Sequence, residues 1–249
     1  MHDDLGHDVP LAQAPARVVS LVPSLTEAVA ASAPDLLVGA TQWCTHPAGL
    51  AVARVRGTKN PDIAAIRALR PDLVVANQEE NRRLDVDRLR DAGIPVWVTR
   101  IDSVPEALAS LGRLFAEGLR VSHPAWLDRA ADVWRPAAPA TGRRVVAPIW
   151  RDPWMVVGAD TYAHDVLTRI GLINAGAEQG ARYPPMPVTA IADARPDLVV
   201  LPDEPYPFTA ADGPDALAPL VCRLVPGRAL SWYGPAMVDA RETLTRLLA

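Results

Sequence analysis

The chain has 249 residues, 49% of them hydrophobic and 22% charged, which fits a folded globule of one large domain or two small ones and excludes a disordered polymer. Its 25 basic and 29 acidic residues leave a net charge of −4, so no electrostatic source for nucleic-acid binding is present. Two cysteines, Cys44 and Cys222, cannot make a disulfide framework or a four-thiolate zinc site, and no apolar run reaches the roughly 18 residues of a membrane span.

Residues 1–16, MHDDLGHDVPLAQAPA, carry three aspartates and lack the apolar segment of a secretory leader. They predict a cytoplasmic protein, with a periplasmic or other extracytoplasmic location as the alternative if a leader has been removed. The first apolar run predicts a buried strand over 17–22. Ser24-Leu25-Thr26-Glu27 has the S-x-x-E pattern of a capping box and predicts a helix to about Ser32. Strands follow at 36–40, 72–76 and 95–99, with helices at 61–69 and 83–92, the second stopped by Gly93. Strands alternating with helices argue for a mostly parallel sheet.

Residues 104–142 read as helical. Glu106, Leu108, Leu111, Leu114 and Phe115 have helical spacing, and a second helix from Pro124 to about Arg135 puts Trp126, Ala130 and Trp134 on one face. The rest repeats the earlier theme, with strands near 144–149, 155–157, 198–201 and 221–225 and helices near 161–170 and 235–248.

The chain also repeats itself. Arg70-Pro71-Asp72-Leu73-Val74-Val75 returns as Arg195-Pro196-Asp197-Leu198-Val199-Val200, and Arg17-Val18-Val19 as Arg144-Val145-Val146, at offsets of 125 and 127 residues. A duplicated structure follows: two Rossmann-like α/β lobes with mostly parallel sheets, an N-terminal lobe 1–103, a helical linker 104–142, and a C-terminal lobe 143–249.

In open parallel sheets ligands bind beyond the carboxyl ends of the strands. There this chain places Trp43 and His46, Thr58 and Lys59 (its single lysine), Asn77, Glu79 and Glu80, then Trp150, Trp154, Tyr183, Tyr206, Phe208, Trp232 and Tyr233. Aromatics are only 5% of the sequence, so eight of them in or beside these loops point to an aromatic-lined ligand cleft between the lobes. Catalytic signals are few, since neither a G-x-S-x-G elbow nor a phosphate-binding glycine loop is present. The Cys44-x-His46 pair offers at most two metal ligands, of which His46 is the better candidate.

RVVSLVPSLTEAV, the WCTHP loop, RGTKNPD, RPDLVVANQEENR and GIPVWVT together resemble the helical-backbone (class III) substrate-binding proteins that carry cobalamin and ferric siderophores to bacterial ABC importers. The resemblance spans nearly the whole chain and is densest in the first lobe. It implies two α/β lobes bridged by a helix with the ligand between them, and a cleft at Trp43, His46, Thr58, Lys59, Asn77, Trp154, Trp232 and Tyr233. It also implies a binder of a corrinoid or related metal chelate without an intrinsic cofactor, rather than an enzyme. The alternatives are the binding component of an importer for cobalamin, haem or a ferric siderophore, and an enzyme acting on a tetrapyrrole or metal chelate through His46, Glu79 and Glu80. The family's permease-docking glutamates would fall near Ala64 and Ala65 and near Thr189 to Ala192, where this chain has only the neighbouring Asp62 and Asp193. The expected partners are thus a small-molecule chelate and, less evidently, a permease.

Overall fold

The computed structural model describes residues 1–136 and 138–248. The chain forms two compact units: Met1–Ile101 with Pro105–Asp128 and Tyr233–Pro235, and Asp102–Val104 with Arg129–Trp232 and Ala236–Ala249.

In the first unit β1 (Val18–Ser20), β2 (Leu37–Ala40), β3 (Ala53–Arg54), a small hairpin of β4 (Arg56–Gly57) and β5 (Asn60–Pro61), β6 (Leu73–Asn77) and β7 (Val96–Thr99) alternate with α1 (Pro23–Ser32), α2 (Ile63–Ala68) and α3 (Arg83–Asp91). The main sheet runs β3-β2-β1-β6-β7 and all its pairings are parallel. β6 and β7 are buried at every residue, as continuous apolar runs in a sheet covered on both faces should be. Leu21, Val19, Val74, Ala76 and Val98 pack with Ile66 and Leu89 from the flanking helices.

The second unit holds β8 (Arg144–Val146), β9 (Pro148–Trp150), β10 (Met155–Val156), β11 (Ile173–Asn174), β12 (Leu198–Pro202) and β13 (Cys222–Val225). Its main sheet is β11-β8-β12-β13, again wholly parallel, with β9 and β10 as a short antiparallel pair. Between the two halves of the chain lie α4 (Val104–Arg113), a π-helical continuation at 114–119, and α5 (Ala125–Trp134); then come α6 (Tyr162–Arg169), α7 (Val188–Asp193), α8 (Pro214–Leu217), α9 (Gly227–Ser231) and α10 (Met237–Leu248).

The repeat in sequence is a repeat in structure. β2-β1-β6-β7 and β11-β8-β12-β13 have the same order of connection. Arg70 and Arg195 both take a left-handed backbone, φ 46° and 49°, before Pro71 and Pro196. The next residue then ties the two central strands. Asp72 N–H donates to the Arg17 carbonyl at 2.8 Å, and its carboxylate accepts from the amides of Ala16 and Arg17. Asp197 N–H donates to the Arg144 carbonyl, also at 2.8 Å, and its carboxylate accepts from Arg144 N–H at 2.7 Å. Asp72→Ala and Asp197→Ala are therefore expected to destabilise their units by similar amounts, about 1–2 kcal/mol each, read by denaturant melts of the single variants. A loss at one site alone would show the two turns to be unequal.

Two local expectations need correction. Ser24 is not an N-cap: Val22 holds that place without a side-chain bond and Pro23 opens the helix, its missing N–H costing nothing in the first turn. The Ser24 hydroxyl partners Tyr233 instead. The helix after Glu106 also does not run as one regular α-helix. Gly118 sits where a Cβ would lie 3.0 Å from Trp97 Cε3, and the backbone widens to π geometry over Leu114–Leu119 around that buried indole. By contrast Gly93, at φ +75°, ends α3 as its sequence position predicts.

The two tryptophans of α5 are anchored as their shared face predicts. Trp126 Nε1–H donates to Ser32 Oγ at 2.9 Å and its ring meets Phe115 edge-on, within the first unit. Trp134 Nε1–H donates to the Met237 carbonyl at 2.9 Å, within the second. Among the described residues no helix is long and apolar enough to cross a membrane.

Candidate functional site

In the first unit the loops after β1, β2, β6 and β7 share one end of the sheet. Asn77, the last residue of β6, organises them. Its Nδ2 donates to the Thr99 carbonyl and to Thr99 Oγ1, both at 3.1 Å, and its Oδ1 accepts from the amides of Glu79 (2.8 Å) and Glu80 (3.2 Å). With four such bonds the amide is fully used in shaping the turn. Asn81 continues the lattice, accepting from Asn77 N–H and donating to the Thr58 carbonyl. Lys59 Nζ donates to the Glu79 carbonyl at 2.6 Å, which joins the 56–61 loop to the same turn. Glu80 is half-buried, and burial pushes its carboxyl above the usual range despite the pull of Lys59.

Trp43 stands apart from this lattice. Its indole is 60% exposed and lies across Gly57, where any Cβ would come within 3.1 Å of Nε1. Neighbouring Cys44 is wholly buried rather than half-buried as a loop thiol would be. Thr26 Oγ1 donates to its Sγ at 3.0 Å, Thr41 Oγ1 lies 3.1 Å away, and burial raises its pKa. His46 is half-buried, with Nδ1 at 3.2 Å from Thr45 Oγ1. Tyr233 belongs to this end too. It is 6% exposed, hydrogen-bonds with the hydroxyls of Ser24 and Thr99, and burial lifts its phenol far above its ordinary pKa.

In the second unit the loops after β8 and β12 build an aromatic platform. Trp150, 43% exposed, meets Tyr206 edge-on at 5.7 Å. Tyr206 touches buried Phe208 at 4.6 Å, and Phe208 stacks on Trp154 at 5.8 Å with the rings 12° from parallel. The circle closes through charge. Arg151 lies over the Trp154 ring, Arg151 Nη1 pairs with Asp212, and Asp212 accepts the Tyr206 hydroxyl at 2.7 Å, which raises the phenol's pKa. Tyr206, Phe208 and Trp154 thereby hold one another in place, with Trp150 resting edge-on against Tyr206. Trp232 is different: 6% exposed, it lies beneath the Arg228 guanidinium at 5.3 Å, and its carbonyl accepts from Tyr162. Tyr183 is half-buried in the 181–187 loop.

Trp150, Trp154 and Tyr206 are thus brought together, as are Asn77, Glu79, Glu80, Thr58 and Lys59. The sequence reading did not include Arg151, Asp212 and Asp215. Arg151 stood inside the Trp150–Trp154 loop and was open to notice; Asp212 and Asp215 carried no signal. Among the described residues no three His, Cys, Asp or Glu side chains converge as a metal site. Of the two acids near the family's docking positions, Asp62 is occupied as the N-cap of α2, accepting Ala65 N–H at 3.0 Å, whereas Asp193 is exposed at the end of α7.

Two α/β units of the same sheet order, each with loops gathered at the carboxyl ends of its parallel strands, define a two-lobed α/β protein. Comparison places it further: residues 18–213 match the periplasmic binding protein family, and the chain belongs to that family. It is 26% identical over 203 residues to the vitamin B12-binding protein of Yersinia pestis (strain Pestoides F), covering 76% of this chain and 70% of the relative. Among solved structures it is similar to the periplasmic heme-binding protein BhuT in complex with two hemes, at 25% identity and a TM-score of 0.76, covering 95% of this chain and 98% of the other. A periplasmic heme-binding protein from Pseudomonas aeruginosa matches at 25% identity and a TM-score of 0.73, covering 93% and 91%. These relatives are binding proteins, and B12 and heme are their ligands rather than resident cofactors. The comparisons also overturn the expectation of a cytoplasmic protein. A family of periplasmic binding proteins, with relatives named as periplasmic, points to an extracytoplasmic location, and the charged opening of the sequence is no argument against it.

Proposed function

We propose that the protein is an extracytoplasmic binding protein for a flat metal chelate of the tetrapyrrole type, a corrinoid first, and that it hands this ligand to an ABC importer. The observation that carries the reading is the preorganised aromatic platform of the second unit, with Trp150 facing solvent beside Tyr206 and Trp154. Large flat ligands gain most of their affinity by burying apolar faces against such rings. The B12-binding and heme-binding relatives support the ligand class. Trp43, His46, Thr58, Lys59, Asn77, Glu79 and Glu80 of the first unit, and Trp150, Trp154, Tyr183, Tyr206, Trp232 and Tyr233, are the proposed ligand-side residues. Within that set Trp43 and Trp150 offer the most contact surface, with Tyr206 beside Trp150, while Asn77, Trp154, Trp232 and Tyr233 act by holding loops and rings in place. The test is to incubate purified protein with cobalamin, hemin or a ferric siderophore, desalt it, and record the visible spectrum. Retention of an unchanged tetrapyrrole chromophore is expected. Retention of the siderophore alone would refute the ligand class, and chemical conversion of the chromophore would refute the binder.

A further inference from the structure

The charges around the platform of the second unit carry the ligand assignment one step further, on the reading just proposed. Arg151 is the cation beside the aromatic rings, and it stands among carboxylates. Nη1 pairs with Asp212 and lies 3.7 Å from Asp215, Nε lies 3.8 Å from Asp152, and the guanidinium plane covers Trp154. Three carboxylates around one guanidinium leave the surroundings of the rings with two net negative charges. The amides of Gly213 and Ala216 hold the Asp215 carboxyl below the usual carboxylate range. Arg182, another cation of these loops, is likewise engaged, by Asp102 at 2.9 Å and by the Asp160 carbonyl. In the first unit the loops carry Arg56, Lys59 and Arg82 together with Glu79 and Glu80, a mixed set with one formal positive charge in excess, so the negative excess lies on the platform of the second unit.

We propose that Arg151 and its carboxylate cage select the ligand by charge: the platform accepts a chelate with an uncharged, amide-bearing periphery, as corrinoids have, and discriminates against chelates edged with carboxylates or catecholates. Arg151 is a positioning residue. It props Trp154 and orients Tyr206 through Asp212 and does not receive an anion. A haem-type ligand would bring two propionates toward a surface that already carries excess negative charge, whereas a corrinoid's amides can donate hydrogen bonds to those same carboxylates.

The experiment compares cyanocobalamin and hemin by fluorescence titration, in the wild type and in Asp152→Asn/Asp215→Asn. Asparagine at 215 keeps an oxygen for the Gly213 amide, now accepted at 2.9 Å. Wild type is expected to prefer cyanocobalamin. The double variant should shift the ratio of the two affinities at least about tenfold toward hemin, and the shift should shrink when salt is raised to about 0.5 M, where exposed charges are screened. Asp152→Asn alone, at a side chain that is 87% exposed, should give a smaller shift in the same direction with an unchanged melting temperature. A wild type that prefers hemin, or variants that leave the ratio unmoved, would overturn charge selection while leaving a tetrapyrrole binder standing. Binding of neither ligand would instead bring down the proposed function, and this inference with it.

Discussion

Trp150→Ala is expected to weaken cyanocobalamin binding about five- to 150-fold while shifting the melting temperature by only a few degrees. The indole is 43% exposed and its recorded ring contact is one edge-on meeting with Tyr206, a pair worth about 0.5–1.5 kcal/mol to the fold. Covering such a ring with a flat ligand buries on the order of 100 Å² or more of apolar surface, about 1–3 kcal/mol of binding. Trp43→Ala should behave alike, because that ring is 60% exposed and rests on Gly57, which offers no side chain to pack against. Titration and thermal melting on the same samples separate the two effects. Normal affinity in both variants would remove these tryptophans from the site.

Trp232→Ala should give the opposite pattern. The ring is 6% exposed and covered by Arg228, and its own carbonyl is tied to Tyr162. Truncating a buried indole leaves a cavity and costs about 3–5 kcal/mol, or roughly 6–20 °C in melting temperature for a chain of this size. Variant protein that remains folded at low temperature should lose affinity by less than the Trp150 variant does. A melting temperature near that of the wild type would show that the ring contributes little packing.

The contrast between Trp150 and Trp232 marks where sequence reading stopped. Both read in the sequence as loop tryptophans, yet Trp150 closes β9 and Trp232 caps the end of α9; exposure depends on which residues fold over each ring. The sheets were far more legible. Leu73–Asn77 and Leu198–Pro202 are unbroken apolar runs preceded by the same Arg-Pro-Asp turn, so pattern and turn chemistry agree and the duplication follows. The elements that escaped notice were short: β11 has two residues, α8 four and α9 five, too few for any period to show. The capping box failed at Ser24 because Pro23 opens the helix one residue earlier and puts Ser24 inside it, while the partner of its hydroxyl, Tyr233, lies more than 200 residues later. Asn77 was legible as a residue at the strand's end, but its four bonds organising the loop depend on Thr99, which the sequence does not place beside it.

The most direct test of the central claim is calorimetric titration of the purified protein with cyanocobalamin at several temperatures. The account predicts saturable one-to-one binding, with a dissociation constant in the micromolar range or below and a negative heat-capacity change from burial of apolar faces. Absence of saturable heat at every temperature, from protein shown by its melting transition to be folded, would contradict it.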